Sequence, residues 1–290
     1  MLSILIPTFN DDCRALATDL ANQARSAGLS AWEVVVADDG STDKSVVALN
    51  ETLNHIPGCR FVKRGRNIGR AAIRNFLVEQ SMGDHLLFID ADMSLVDTHY
   101  LEKYERAQGL APVVYGGYSV GKGNRSNLRY IYEKNGEKNH SAELRSRHPY
   151  QDFHTSNFMI TRQLIEAIPF DERFRHYGYE DVLFGKQLLA HAIPILHIDN
   201  PVCFNRFEAN EDFIRKTEEG LRTLHTFRKD LKGYSPLLDL AEKIEKTHLK
   251  RLAANTLRIF NKSLLTHAVS NKPCLLAFNL YKLGYYLNLE

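Results

Sequence analysis

A chain of 290 residues with 44% hydrophobic and 25% charged side chains has ordinary globular makeup and enough apolar material for a sizeable core. No apolar run reaches the roughly 20 residues of a membrane span, no signal-peptide pattern is visible at Leu2-Ser3-Ile4-Leu5-Ile6, and no nucleic-acid partner is expected of a net charge of +2. Cys13, Cys59, Cys203 and Cys274 are scattered without a C-x-x-C pair, which excludes a zinc ribbon or disulfide framework and reads as reduced thiols of a cytosolic protein.

Leu2 to Ile6 predicts a first buried strand, closed by Pro7-Thr8-Phe9-Asn10. Asp12 to Ala27 carries Ala15, Leu16, Leu20 and Ala24 at helical spacing, and Gly28 is a stop signal. Trp32 to Ala37 is a second strand, ending in Asp38-Asp39-Gly40-Ser41-Thr42-Asp43, where Ser41 or Thr42 would cap a helix through Val46, Val47 and Leu49. Arg60-Phe61-Val62 is a short third strand, and Asn67-Ile68-Gly69-Arg70 leads into a helix through Ala71, Ala72, Phe76 and Leu77. His85-Leu86-Leu87-Phe88-Ile89 is a fourth strand that stops in Asp90-Ala91-Asp92. Four strand-then-helix units predict an α/β fold with a doubly wound, mostly parallel sheet.

After Asp92 the rhythm changes. A helix is expected over Thr98 to Ala107, and strands at Pro112 to Tyr115, Phe153 to Thr161 and Ile193 to Ile198, the last preceded by a helix over Glu180 to Ala190. Gly121 to Gln151 is polar and reads as a functional flap or a partly disordered stretch. From Glu211 onward the pattern is helical, with Ser235-Pro236 as an N-cap and first-turn proline. The expected organisation is a domain over 1–210 and a helical C-terminal extension over 211–290. The extension holds fourteen Lys or Arg against nine Asp or Glu, and from Lys243 to Leu289 the balance is eight to one. A basic amphipathic segment ending in an aromatic-rich helix suits peripheral membrane contact; packing on the first domain or a homodimer through these helices is the competing reading.

The polar stretches gather at strand ends, which lie side by side in a parallel sheet and form one crevice. Asp90 and Asp92 would project on the same side there, two hard oxygen ligands suited to Mn²⁺ or Mg²⁺, against the plainer reading of solvated acids in a turn. Arg74, one helical turn beyond Gly69, could hold a diphosphate or a base edge by its planar fork. Neither G-x-G-x-x-G nor G-x-x-x-x-G-K-[ST] follows a strand, so dinucleotide and P-loop folds are unsupported.

The ordered set Pro7-Thr8-Phe9-Asn10, Asp38-Asp39-Gly40-Ser41-Thr42-Asp43, Asn67-Ile68-Gly69 with Arg74-Asn75, and Asp90-Ala91-Asp92 resembles the family 2 glycosyltransferases of GT-A fold. Phe170-Asp171-Glu172-Arg173-Phe174 followed by Gly178-Tyr179-Glu180-Asp181-Val182-Leu183-Phe184-Gly185 is similar to the acceptor-side motif of the chondroitin-polymerase and galactosyltransferase branch. The resemblance covers roughly Met1 to Asn205. It implies an inverting, metal-dependent transfer from a nucleotide-sugar, a UDP-sugar by preference, to a glycan or lipid-linked glycan in cell-surface polysaccharide synthesis; the thiols and the basic tail suit a cytoplasmic location, at the inner face of the membrane where the tail docks. It implies that Thr8, Asp39 and Arg74 hold uracil and ribose, and that Pro7, Asn10, Asp38, Asn67, Gly69 and Asp90 complete the donor site. Asp90 and Asp92 match the D-x-D pair, Asp181 the general base, Glu180 its neighbour at the acceptor, and His197 a histidine that completes the metal site in some members.

Each residue also has a plainer reading. Asp38-Asp39-Gly40-Ser41 alone is a turn, Glu180-Asp181 alone are first-turn acids on a helix dipole, and His197 alone is a core histidine. His154 and Asn157 could line the sugar pocket or simply build a strand. His176-Tyr177-Gly178-Tyr179 stands where the family often carries a Trp, which leaves the donor and acceptor sugars open. The rivals to a glycosyltransferase are a nucleotidyltransferase of related fold, which would carry a glycine-rich basic loop after the first strand, and a non-catalytic glycan-binding or scaffold homologue.

Overall fold

A computed structural model describes residues 1–247 and 249–289. The chain opens with β1 (Leu2–Thr8), α1 (Arg14–Ser26), β2 (Trp32–Asp38), α2 (Lys44–Glu51), β3 (Cys59–Lys63), α3 (Arg70–Gln80) and β4 (His85–Ile89). It continues through β5 (Met93–Leu95), α4 (Tyr100–Ala107), β6 (Val113–Tyr115), β7 (Tyr118–Val120), α5 (Leu128–Gly136), α6 (Ala142–Arg145), β8 (Asn157–Thr161) and α7 (Arg162–Ala167). The remaining elements are α8 (Glu180–Ala190), β9 (Ile195–His197), β10 (Val202–Phe204), α9 (Asn210–Thr226), α10 (Pro236–Lys246), α11 (Lys250–Ala268) and α12 (Leu275–Leu287).

Two compact units emerge, and neither is continuous in sequence. The first comprises residues 1–121, 139–175 and 184–206; the second comprises 122–138, 176–183 and 207–290. The helical C-terminal part is thus joined by two short stretches from earlier in the chain.

In the first unit, seven strands form one sheet in the order β3-β2-β1-β4-β8-β6-β9. The four opening strands are parallel, as the strand-then-helix repeats predict; β8 alone runs against its neighbours β4 and β6. Ile4, Leu5, Ile6, Val34, Val35 and Val36 are fully buried on successive positions, the mark of strands covered on both faces. The strand order reverses between β1 and β4, the switch point where ligands bind in open α/β sheets. The register places Thr8 beside Asp38 and Asp38 beside Lys63, so the polar ends of β1, β2 and β3 are adjacent. A small second sheet, β5-β10-β7, begins directly after Asp92.

Several local expectations shift. Asp43, not Ser41 or Thr42, caps α2, accepting from the N–H groups of Ser45 (2.9 Å) and Val46 (3.3 Å). Ser41 and Thr42 are instead bonded to Asp38 and Asn10. The segment from Gly121 to Gln151 is not structureless: Asn127 caps α5 through the N–H of Tyr130, and Ser141 caps α6 through that of Leu144. The strand expected from Phe153 begins only at Asn157, because Phe153 joins an aromatic cluster with Tyr115, Phe158 and Phe184.

The second unit is helical. Leu128 of α5, Phe213 and Ile214 of α9, Ala268 of α11, and Ala277, Phe278 and Tyr281 of α12 form its core. Ser235 caps α10 ahead of Pro236, as its sequence predicts. No helix among the described residues is long and apolar enough to cross a membrane.

Candidate active site

Three loops of the first unit are tied together by side chains that the motifs singled out. Asn10 sits at φ +60° after β1. Its Oδ1 accepts from the N–H groups of Thr42 and Asp43, both at 2.9 Å, and its own N–H donates to Ser41 Oγ at 2.7 Å. Asp38 accepts from the Ser41 N–H at 3.1 Å and from its hydroxyl. Thr8 is buried, its hydroxyl donating to the Asp11 carbonyl at 3.1 Å, and its own carbonyl accepts from the Asp39 N–H at 2.8 Å. Pro7 precedes it, half-buried, within β1.

Asp39 reaches across to the loop before α3. Its two oxygens accept from the N–H groups of Ile68 (2.8 Å) and Gly69 (3.0 Å). Burial pushes its carboxyl above the usual carboxylate range, and those two N–H groups pull it back. Each oxygen retains a lone pair for another donor, as a carboxylate offers about four acceptor positions. The approach of the loops requires glycine twice. A Cβ on Gly40 (φ +72°) would lie 2.5 Å from the Arg66 carbonyl carbon, and one on Gly69 (φ +94°) would lie 2.7 Å from the Arg175 carbonyl oxygen. Asn67, on the same loop, is exposed.

Asp90 and Asp92 occupy a turn: the Asp90 carbonyl accepts from the Met93 N–H at 3.2 Å, and the Asp90 N–H donates to the Ser156 carbonyl at 3.1 Å. The turn reading and the site reading of D-x-D are therefore compatible. Asp90 faces two guanidinium groups, Arg74 at 2.6 Å and Arg70 at 3.4 Å. Arg74 is 1% exposed and also donates to the Arg70 carbonyl, so in this arrangement it positions Asp90. Asp92 is half-buried. Arg70 escaped the sequence reading, although its i, i+4 spacing from Arg74 puts both on one helix face. Asn75 bonds both backbone groups of Phe170 and is structural.

His197 belongs to another network. Its Nε2 lies 3.0 Å from the Pro149 carbonyl, and its Nδ1 accepts from Arg145 Nε at 3.3 Å. Burial and the guanidinium of Arg145 lower its pKa to about 4, so the ring is neutral at pH 7. Both nitrogens are committed to protein atoms. Among the described residues no three His, Cys, Asp or Glu side chains come together as a metal-holding group, so Asp90, Asp92 and His197 form no cage. Asn157, fully buried, accepts from the hydroxyls of Tyr100 (2.5 Å) and Tyr104 (2.7 Å) and donates to the carbonyls of Gly117 and Asn200. That saturates it as a structural node. His154 packs edge-on against Tyr115 and Tyr118.

Glu180 and Asp181 lie in the second unit, in the first turn of α8. Two left-handed residues in succession, Gly178 (φ +95°) and Tyr179 (φ +68°), deliver the chain into that helix. A positive φ at tyrosine is strained by about 1 kcal/mol or more and persists only where surroundings enforce it. α9 does so: Thr223 Oγ1 donates to the Tyr177 carbonyl at 3.0 Å, and Glu219 accepts from the Tyr177 N–H at 3.1 Å. Gly178 also lies against Gly220, where a Cβ would come within 3.4 Å of the facing Cα. Glu180 is buried; Asp181 is half-buried and accepts from the Val182 N–H at 2.8 Å, as first-turn acids do. No motif announced Thr223 and Glu219, because they lie on a helix that reads only as amphipathic.

A mostly parallel sheet with a switch-point crevice, lined by these loops and extended by a small sheet after D-x-D, defines a GT-A-type glycosyltransferase fold. Residues 3–168 match the model of Glycosyl transferase family 2, and the chain belongs to that family. It is 32% identical over 92 residues to an uncharacterized glycosyltransferase of Haemophilus influenzae, covering 32% of this chain and 36% of that protein. It is 25% identical over 240 residues to a chondroitin synthase of Escherichia coli, covering 71% of this chain and 34% of the synthase. The chain spans about a third of the length of these relatives. Among solved structures it is similar to S. aureus TarS 1-349 in complex with UDP-GlcNAc (TM-score 0.54, 16% identity, 98% of this chain and 90% of that one). It is also similar to the mannosyltransferase PcManGT from Pyrobaculum calidifontis in complex with GDP-Man and Mn²⁺ (TM-score 0.56, 15% identity, 99% and 84%).

Proposed function

We propose that the protein transfers a sugar from a nucleotide-sugar, a UDP-sugar first, to a hydroxyl of a glycan or lipid-linked glycan, with inversion at the anomeric carbon. The observation that carries this reading is the bonding of Asp39 to the Ile68 and Gly69 N–H groups, which joins two motif loops at the switch point beside the Asp90–Asp92 turn. The UDP-GlcNAc bound by one structural relative and the chondroitin synthase similarity support a UDP-sugar and a polysaccharide acceptor. The work would take place on the cytoplasmic face of a membrane, where nucleotide-sugars are made.

In the transfer, the acceptor oxygen forms a bond to the anomeric carbon as the bond from that carbon to the diphosphate breaks. Asp181 takes the proton of the attacking hydroxyl, and Glu180 orients the acceptor. The assignment rests on the Gly178–Gly185 motif and on the first-turn position of Asp181, where the helix dipole favours the charged, proton-accepting form. Asp39 and Thr8 hold the base and ribose, and Arg74 keeps Asp90 oriented beside them. Pro7, Asn10, Asp38, Asn67 and Gly69 set the loop geometry.

A divalent cation such as Mn²⁺ or Mg²⁺ supplies charge neutralisation for the departing diphosphate when bound. The residues fit it unequally. Asp90 and Asp92 would offer hard carboxylate oxygens, Asp90 while paired with Arg70 and Arg74; both His197 nitrogens are bonded to Pro149 and Arg145. By its place as the second acid of the D-x-D pair, Asp92 would be the protein ligand.

A nucleotide-release assay across UDP- and GDP-sugars with Mn²⁺ tests the reading. Turnover with one donor, reduced 10²-fold or more in Asp181→Asn with nucleotide binding retained, is expected. Pyrophosphate release from a nucleoside triphosphate would point to a nucleotidyltransferase instead, and no turnover with any donor to a non-catalytic homologue.

A further inference from the structure

α11 is apolar on two opposite faces, and only one of them is covered. Its inner face meets α12: Leu257 approaches so closely that a Cβ on Gly284 would lie 2.8 Å from the Leu257 Cβ, and Asn288 donates to the Ala254 carbonyl at 3.1 Å. Ala254 and Ala268 are buried along that side. On the outer side, Leu252 is 65% exposed, Ile259 76% and Phe260 55%. At 3.6 residues per turn these three fall within about 100° of arc, with Thr256 and Ser263 between them. Leu249, exposed at the helix start, extends the same stripe.

One edge of the stripe is cationic. Arg251, Arg258 and Lys262 recur seven and four residues apart and are exposed. None has a carboxylate partner among the described residues, unlike Lys250, which pairs with Glu245 at 2.6 Å. α11 contains no Asp or Glu over its 19 residues, a length of about 28 Å.

We propose that the outer face of α11 is a membrane-docking surface, lying flat on an anionic lipid leaflet with Leu252, Ile259 and Phe260 in the acyl boundary and Arg251, Arg258 and Lys262 on the lipid phosphates. Charge decides the occupant. An isologous contact through this face would set a helix without an acid against another without one, whereas an anionic leaflet supplies the missing counter-charge along the whole helix. The side chains also match the division of labour in interfacial helices, apolar insertion beside basic attraction. Docking is separable from sugar transfer, because none of these residues belongs to the proposed catalytic or donor-binding set.

The test is co-sedimentation of the full chain with phosphatidylcholine vesicles, with and without phosphatidylglycerol. The wild-type chain is expected to bind the anionic vesicles at least tenfold more tightly than neutral ones. Leu252→Ser/Ile259→Ser/Phe260→Ser, and separately Arg251→Gln/Arg258→Gln/Lys262→Gln, are each expected to weaken that binding about tenfold or more. All six positions are exposed, so melting temperature and transfer to a soluble acceptor should stay at wild-type values. Wild-type binding at the level of a lipid-free control, or retained in the apolar triple variant, overturns the proposal. So does a wild-type dimer by light scattering that the apolar variant converts to monomer while neither binds vesicles; a second copy would then cover the face.

Discussion

The guanidinium of Arg74, 1% exposed within α3, lies 2.6 Å from Asp90 Oδ1 at the end of β4. It crosses from a helix to the turn that carries Asp92, so the orientation of that turn depends on a buried ion pair. A charge buried this deeply is strongly destabilising once its partner is removed, by about 3–5 kcal/mol. Asp90→Asn, which takes the carboxylate from the buried Arg74 guanidinium, is therefore expected to lower the melting temperature and to depress turnover through the altered turn. Combined with Arg74→Met it should cost much less than the sum of the two single changes, since Arg74→Met removes the buried charge that Asp90→Asn leaves without its carboxylate. Additive losses in a double-mutant cycle would show that the pair is not coupled.

Gly69 is the second point where the site depends on backbone geometry. Its φ of +94° and its approach to the Arg175 backbone leave no room for a methyl group. Gly69→Ala should cost about 2 kcal/mol or more, from the left-handed strain and the clash together. Because Gly69 and Ile68 supply the N–H groups that hold Asp39, the KM for the nucleotide-sugar should rise more than kcat falls. A variant with wild-type melting and an unchanged donor KM would separate the loop from donor binding.

Much of the first unit was legible because its signals are local. Short β-branched runs such as Val34-Val35-Val36 read as buried strands, and each ends in polar residues that the parallel register then brings together. What escaped depends on long-range partners. Asp43 wins the α2 cap because the Thr42 hydroxyl accepts from the side-chain amide of Asn10, more than thirty positions away, at 3.1 Å, and the Ser41 hydroxyl is engaged by the Asn10 N–H and by Asp38. His197 looked like a ligand on a strand end, yet Arg145, fifty-two positions earlier in a segment that reads as polar loop, takes its Nδ1. The 178–181 motif was visible, but not its support from Thr223 and Glu219, since no spacing rule links a turn to a helix some forty residues on.

Lys282 of α12 gives a pH-dependent test of the helical unit. Its ammonium lies 4.8 Å from the Phe278 ring and 5.0 Å from that of Tyr132, and burial lowers its pKa to about 8. The unfolded chain, with an ordinary lysine, binds more protons between pH 8 and about 10.4, so this group makes stability rise with pH across that window. Below pH 8 it opposes folding in full. Lys282→Met keeps the length and removes the charge, so it should melt higher than wild type at pH 7, with the difference shrinking towards pH 10. A variant less stable at pH 7 would mean that the two cation–π contacts outweigh desolvation.

Metal dependence separates the two acids from the histidine. If Asp92 is the chain's ligand and the diphosphate supplies the rest, Mn²⁺ should bind the protein weakly alone and markedly more tightly with UDP present, which calorimetry reads directly. Asp92→Asn should raise the Mn²⁺ concentration needed for half-maximal turnover tenfold or more. His197→Gln should leave that concentration within about twofold of wild type while lowering the melting temperature, because it breaks the bonds to Pro149 and Arg145 in a buried site, at about 1–3 kcal/mol for each group left unpaired. A tenfold loss of Mn²⁺ activation in His197→Gln, with the fold intact, would instead mean that the ring leaves Arg145 and Pro149 to bind the cation during turnover.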